Sequence, residues 1–176
     1  RGSFYAAQHY GGEDFAVALG GGHGMAGYHT GYANVVGHHV GARHSHLDNA
    51  GYAIDQKSGD LTDEETIEKL IAEEQERCML TSLSICLFAR KVYDRETVKA
   101  CLASVGVPWS DEQLDELGRK IYALKLDIKR RLNYDPTQAP VPRRFFETSS
   151  MRGPLSAERV ARMLAIYRQR VAEISG

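Results

Sequence analysis

The sequence predicts an all-α fold, a multi-helical bundle preceded by an irregular segment rich in glycine and histidine. Apolar residues recur at helical spacing after Asp60, and two capping boxes mark helix starts there. All seven histidines, in contrast, lie at or before His46. We therefore expect a segment over residues 1–59 that contributes to a site and a helical domain over residues 60–176.

Composition narrows the functional classes. The chain has 176 residues with a formal net charge of −1, which gives no reason to expect nucleic acid or a membrane surface as a partner. It contains no apolar run that could cross a bilayer and no signal peptide, so we expect a cytoplasmic protein. The three cysteines, Cys78, Cys86 and Cys101, form no CxxC pair and are expected to be free thiols.

Helix signals divide the second region. Thr62 with Glu65 forms a capping box that opens one helix, and the run from Cys78 to Ala89, apolar nearly all round, predicts that a central helix is buried there. A second helix is expected from Asp94 to a left-handed stop at Gly106.

The last third of the chain continues this pattern. Ser110 with Gln113 forms a second capping box, and the helix it opens is expected to reach about Leu132. The proline-containing stretch 133–147 should be extended, and Ser156 should open the last helix. Apolar residues repeat along the Ser110 helix at Leu114, Leu117, Ile121, Leu124 and Ile128.

The glycine-rich first region predicts little regular structure. Small residues recur between Met25 and Val40, so a helix there would need tertiary packing or a ligand, and residues 1–40 are expected to be poorly packed. Residues Gly22 to Gly27 match the GxGxxG pattern after the apolar run Phe15–Leu19. Since no second strand precedes Asp48 and only helices follow, we rank a dinucleotide-binding module last.

The histidines leave alternatives open. His38, His39, His44 and His46 could bind zinc, which would make the chain a small helical interaction or histidine-based metal-binding module. Arg43, His44, His46 and Asp48 could instead perform acid–base chemistry near neutral pH, or form a turn with a local salt bridge. A lone Cys86 in an apolar helix is, by residue type, a small buried hydrophobe.

Three motifs, in order, resemble the C-terminal helical part of the aldehyde:ferredoxin oxidoreductase family of tungsten- or molybdenum-pterin enzymes. The first is Ser45-His46-Leu47, which is similar to a Cys-His-Leu step. The second, Ser82 to Phe88, resembles a helix that ends in a cysteine. The third comprises Gly118 to Tyr122, then Asn133 and the Pro142 to Glu147 segment. The resemblance spans roughly residues 29–171.

This resemblance implies roles for particular residues. His46 matches the histidine beside the metal, proposed to handle protons in aldehyde oxidation. Cys86 matches the last ligand of a 4Fe–4S cluster, and Ile85 and Leu87 flank it at the cofactor. Thr81, however, stands where the family usually has an aspartate that contacts the pterin.

The resemblance also implies what the chain would need. The family's upstream cysteines and its pterin-cradling domain have no counterpart here, so we expect a fragment or split C-terminal portion that retains no cofactor and is inactive alone. In an intact enzyme, the expected cofactors are a tungsten or molybdenum bis-pterin and a 4Fe–4S cluster. The expected partners are the N-terminal pterin-binding domain, ferredoxin or an electron-transfer subunit, and an aldehyde substrate.

Overall fold

Helices make up the regular structure of the chain. The computed structural model describes residues 2–13, 16, 27–41, 51–89 and 92–175, and within these ranges there are eight α-helices and no strand. The predicted all-α class is confirmed. No helix in the described ranges is both long and apolar enough to cross a membrane. The helices are α1 (Gly2–Tyr10), α2 (Tyr32–Val40), α3 (Gly51–Lys57), α4 (Asp63–Ser82), α5 (Arg95–Ser104), α6 (Asp111–Arg131), α7 (Arg144–Glu147) and α8 (Ala157–Ser175).

The starts of α4, α5 and α6 are the ones that the sequence predicts. Thr62 and Ser110 each form a complete capping box, with Glu65 and Gln113 respectively. Asp94 caps α5 by accepting a hydrogen bond from the backbone N–H of Thr97 at 2.9 Å. Each side chain satisfies a backbone donor that the first helical turn leaves without a partner.

Helices α4 and α6 pack antiparallel at the centre of the bundle. Gly118 of α6 lies directly on the backbone of α4, where an added Cβ would be 2.4 Å from the carbonyl oxygen of Gln75. Tyr122, one turn further along, is fully buried, and its hydroxyl lies 2.9 Å from that of Tyr167 on α8. Burial raises the pKa of Tyr122 well above its usual value.

The start of α4 is tied to α8 by a buried carboxylate. Asp63 is 7% exposed, and it accepts hydrogen bonds from Nε of Arg159 at 2.8 Å and Nε of Arg162 at 2.7 Å. Burial opposes ionisation of this carboxyl, but the two guanidinium groups outweigh it and lower the pKa of Asp63. The charge is therefore retained at the helix start, where the macrodipole also favours an anion.

Helix α2 is buried along most of its length. All of its residues except Tyr32 are buried, and Val36 and Asn34 have no exposed surface. The expectation that residues 1–40 are poorly packed is wrong for α2, because its small residues let neighbouring elements approach closely. Packing supplies the stability that its own glycine content lowers.

Two sequence-based boundaries need correction. The helix predicted from Cys78 to Ala89 ends at Ser82, and a short 3-10 turn follows at Leu87–Ala89. The stretch expected to be extended contains a 3-10 turn at Pro136–Gln138 and the short helix α7. Proline at the first position of a helical turn is compatible with the turn, which explains the second difference.

Candidate functional site

The end of α4 presents the candidate cofactor-binding residues. The N–H of Ser84 donates to the carbonyl oxygen of Thr81 at 3.0 Å, and the N–H of Ile85 donates to that of Leu80 at 3.0 Å. Ser84 itself has φ of 60°, in the left-handed region. These two hydrogen bonds and this conformation make a Schellman motif, which ends the helix and turns the chain away from its axis.

The residues after Ser82 alternate between half-buried and exposed. Ile85 packs, half-buried, against the cluster that contains Leu80. Cys86 is exposed, and Phe88 is 77% exposed. The interpretation of Cys86 as a buried hydrophobe, and the central helix predicted to bury it, are both wrong.

The backbone around Cys86 is held although its side chain is exposed. The N–H of Ala89 donates to the carbonyl oxygen of Cys86 at 2.9 Å and so closes the 3-10 turn. Leu87 is half-buried. Ile85 and Leu87 are therefore half-buried, and the thiol of Cys86 between them is exposed.

Cys86 fits as a single ligand contributed to a shared site. The other two thiols are Cys78, which is buried in the core, and Cys101, which is exposed on α5. In the part of the chain that the structure describes, no three His, Cys, Asp or Glu side chains are grouped so as to hold a metal ion. The remaining ligands of a cluster at Cys86 would therefore not come from the described residues.

His46, the candidate catalytic residue, lies outside the described residues, as do Arg43, His44 and Asp48. Its segment, residues 42–50, is flanked by two buried glycines. The carbonyl oxygen of Gly41 accepts a hydrogen bond from Nζ of Lys129 at 3.1 Å. Gly51 lies so close to α2 that an added Cβ would be 2.3 Å from the carbonyl oxygen of Ala33.

Helix α2, which precedes that segment, is capped at both ends by charged side chains from elsewhere in the chain. Asp55 of α3 accepts hydrogen bonds from the N–H of Ala33 at 3.1 Å and of Asn34 at 2.9 Å. At the other end lies the ammonium group of Lys129. An anion at the N-terminus and a cation at the C-terminus both oppose the helix dipole.

Asp55 and Lys129 are structurally central residues that the sequence does not reveal. Burial raises the pKa of the Asp55 carboxyl, although the backbone hydrogen bond from Asn34 and the hydroxyl of Thr30 act in the opposite direction. Arg152 also donates from Nε to the carbonyl oxygen of Asp55 at 2.6 Å. None of these partners is a sequence neighbour of Asp55, so no local pattern signals them.

Lys129 and Cys86 are far apart along the α4–α6 pair. Because α6 runs antiparallel to α4, Lys129 lies on the part of α6 that leads away from the end of α4, whereas Cys86 comes four residues after that end. Lys129 lies about 16 Å along α6 from Gly118, at roughly 1.5 Å per residue. The structure thus brings Ile85, Cys86 and Leu87 together, and it leaves the position of His46 relative to them open.

Two of the other histidine candidates lie within the described residues. His38 and His39 are buried on α2. Nε2 of His39 donates to the carbonyl oxygen of Ala139 at 2.8 Å, so this nitrogen already has a partner in the backbone. Of the glycine-rich pattern at Gly22–Gly27, only Gly27 lies within the described residues, and of the preceding apolar run only Ala16 does.

The described residues form a helical bundle that presents the exposed thiol of Cys86 on the loop after α4. The sequence matches the family described as aldehyde ferredoxin oxidoreductase, domains 2 and 3, over residues 1–171. The chain therefore belongs to the aldehyde ferredoxin oxidoreductase family. No curated protein and no solved structure matches the chain.

Proposed function

We propose that this chain forms one side of the active site of a tungsten- or molybdenum-pterin oxidoreductase that converts an aldehyde to a carboxylic acid. The reaction consumes one water and releases two electrons and two protons. The bound metal–pterin would supply the two-electron chemistry, and ferredoxin or an electron-transfer subunit would accept the electrons. The observation that carries the proposal is the exposed Cys86 on a fixed turn, in a chain that belongs to this family.

In this proposal Cys86 is the last thiolate ligand of a 4Fe–4S cluster. Such a cluster is held by four thiolates, and one exposed cysteine supplies one of them. The partner that completes the set is the N-terminal pterin-binding domain of the same enzyme. Ile85 and Leu87 would line the cofactor on this side, and the 77% exposure of Phe88 supports a face that another domain covers.

His46 would move a proton at the reacting carbon. Imidazole titrates near neutral pH, which suits it to give or take a proton at an aldehyde. The contacts of Gly41 and Gly51 fix where residues 42–50, the segment that contains His46, start and finish.

The chain alone would retain no cofactor and have no activity, because three cluster ligands and most pterin contacts would come from the partner. Its three free cysteines support a reducing, cytoplasmic setting. Elemental analysis of chelator-free protein separates this proposal from the alternative, a histidine-based metal-binding module. Stoichiometric zinc in the isolated chain would favour that module, whereas iron with tungsten or molybdenum in the assembled enzyme would favour the oxidoreductase.

A matched pair of cysteine substitutions tests the cluster ligand. Cys86→Ser in the enzyme assembled with its pterin-binding domain should lower the iron content and remove the electron paramagnetic resonance signal of the reduced cluster. Cys101→Ser is the control, since this second exposed thiol lies on α5 outside the site. An unchanged iron content and signal in Cys86→Ser would refute the assignment of Cys86.

A further inference from the structure

A cavity of about 430 Å³ lies between the end of α6, the 3-10 turn at Pro136–Gln138 and the last turns of α8. This volume is within the range of pockets that bind small molecules. The described residues that line it include none of the candidate site residues Ile85, Cys86 and Leu87. The cavity is therefore a feature that the proposed oxidoreductase site does not use.

The walls of this cavity are mainly apolar. Six lining side chains supply most of the apolar surface, namely Leu126, Tyr134, Pro136, Tyr167, Val171 and Ala172. An apolar lining with a few polar groups is typical of sites that bind small organic molecules. The two tyrosine rings can also contact the face or the edge of an aromatic ligand.

The walls are held in place by contacts within the protein. Tyr167 is 2% exposed, and its hydroxyl lies 2.9 Å from that of Tyr122 on α6. On the opposite wall, the carboxylate of Asp135 accepts a hydrogen bond from the N–H of Thr137 at 2.9 Å. These contacts form the cavity without a ligand, so little ordering is needed when one binds.

Arg168 is the cation best placed to meet a ligand in this cavity. Its Nε and Nη2 donate to Oγ1 of Thr137 at 2.9 Å and 2.6 Å, which fixes the plane of the guanidinium group. The threonine hydroxyl carries no charge, and the carboxylate of Asp135 lies 3.5 Å from Nε. Among the described residues, Nη1 of Arg168 has no partner, so it can donate to a ligand.

The charged lining residues give the cavity an excess of positive charge. Lys129, Arg130 and Arg168 line it, and Asp135 is the one carboxylate among its described lining residues. Arg130 forms an ion pair with Asp127 at 2.6 Å, so Lys129 and Arg168 supply the excess. The cavity therefore favours a small anion over a cation or a neutral molecule.

We propose that this cavity binds a small carboxylate with an apolar body. The carboxylate accepts a hydrogen bond from Nη1 of Arg168, and the apolar body lies against Tyr167 and Val171. A guanidinium group binds a carboxylate through charge-assisted hydrogen bonds, which are stronger than neutral ones. The apolar walls remove the hydrocarbon part of the ligand from water. The proposal does not depend on the proposed oxidoreductase function, because it concerns no residue assigned to the cluster, the pterin or proton transfer.

Nuclear magnetic resonance titration of the full 176-residue chain with 3-phenylpropionate tests the proposal. The backbone amide resonances of Thr137 and Val171 should shift saturably, with a Kd on the order of 1 mM. The alcohol 3-phenylpropanol has the same phenylpropyl body and no charge. It should bind about tenfold more weakly, because a hydrogen bond to a charged group is lost.

Two substitutions and a matched control locate the site. Arg168→Gln removes the charge but keeps a polar side chain, and it should weaken binding of the acid about tenfold. Ala172→Glu places a carboxylate in the cavity and should abolish binding of the acid. Arg170→Gln is the control, since Arg170 lies on the same helix, pairs with Glu68 and is not among the lining residues. It should bind the acid with parental affinity.

Three results would overturn the proposal. The first is the absence of saturable shifts in the parent chain, and the second is equal affinity for the acid and the alcohol. The third is parental affinity in Ala172→Glu or Arg168→Gln, which would mean that the acid binds elsewhere. Circular dichroism would confirm that each variant is folded, and both substituted residues are exposed enough to tolerate the change.

Discussion

The ends of α4 and α5 have the same hydrogen bonds and different residues at the same turning point. In α5 the left-handed position is Gly106, with φ of 82°, and the N–H of Val107 donates to the carbonyl oxygen of Leu102 at 2.9 Å. In α4 the equivalent residue is Ser84, with φ of 60°. Glycine adopts this conformation without steric cost, whereas a residue with a Cβ does not.

This difference indicates that the backbone at Ser84, just before the candidate site, is strained. The loop after Gly106 leads only to the next helix, whereas Ser84 lies two residues before the exposed thiol of Cys86. Residues held in sparsely populated backbone conformations cluster at functional sites, where the surrounding structure over-determines them. The next residue, Ile85, packs on the cluster around Leu80 and donates its N–H to the carbonyl oxygen of Leu80 at 3.0 Å, and both contacts support the turn at Ser84.

Replacing the unstrained residue should have the largest effect on stability. Gly106→Val forces a β-branched side chain into the left-handed region and should lower the free energy of unfolding by about 2 kcal/mol. Apart from its two chain neighbours, no residue has a heavy atom within 4 Å of a Cβ added at Gly106, so crowding by the rest of the protein does not contribute. Urea unfolding measures this change in the free energy of unfolding, provided that the m value is the same for both chains. A loss close to zero would show that the left-handed turn of α5 is not required.

Relieving the strain at α4 should have an intermediate effect of opposite sign. Ser84→Gly should raise the free energy of unfolding by roughly 0.5–1 kcal/mol, since the removed strain exceeds the added entropy of the unfolded chain. The same urea titration reports it. A destabilised Ser84→Gly chain would mean that the serine side chain has a stabilising contact that outweighs its backbone strain.

The end of α6 gives a third case to compare with the ends of α4 and α5. Helix α6 ends at Arg131, Asn133 after it has φ of 53°, and the N–H of Tyr134 donates to the carbonyl oxygen of Lys129 at 2.9 Å. Asparagine tolerates the left-handed region better than serine, so Asn133→Gly should change stability by less than about 0.5 kcal/mol. If Asn133→Gly stabilised the chain more than Ser84→Gly does, the strain would not be greater at the candidate site.

Titration of His39 should make the free energy of unfolding depend on pH, but it should not change the effect of Ser84→Gly on that free energy. Burial lowers the pKa of His39 below its ordinary value, so the unfolded chain takes up a proton first as the pH falls. Stability should therefore decrease as the pH falls through the unfolded pKa of about 6.5, and His39→Gln should flatten that decrease. The difference in the free energy of unfolding between Ser84→Gly and the parent chain should be the same at pH 7.5 and at pH 5.5, because Ser84 does not titrate. A pH-dependent difference would reveal a titrating partner at the end of α4.

These helix ends also show what the sequence can and cannot predict. The starts at Thr62, Asp94 and Ser110, and the stop at Gly106, are predicted because a side chain and its backbone partner lie within one turn. A left-handed serine has no such local signal, so the end of α4 at Ser82 is missed, and the burial of Cys86 that its residue type alone indicates is wrong.

For the same reason, local sequence patterns do not predict helix caps that come from distant parts of the chain. Lys129 and Gly41 are 88 positions apart, and the burial of α2 depends on such contacts. Membership of the family is predicted from the order of three short motifs and is confirmed by the match over residues 1–171. The role of Cys86 and that of His46 remain predictions, since they depend on a partner and on residues outside the described ranges.

The most direct test of the account is whether His46 and Cys86 share one face. A nitroxide attached to Cys86 in a Cys101→Ser chain should broaden the ring proton resonances of His46, assigned by comparison with His46→Gln. The matched control carries the nitroxide on Cys101 in a Cys86→Ser chain and should broaden them less. Sharp His46 resonances with the label on Cys86 would place the two residues on separate sides of the bundle, and would contradict a shared active-site wall.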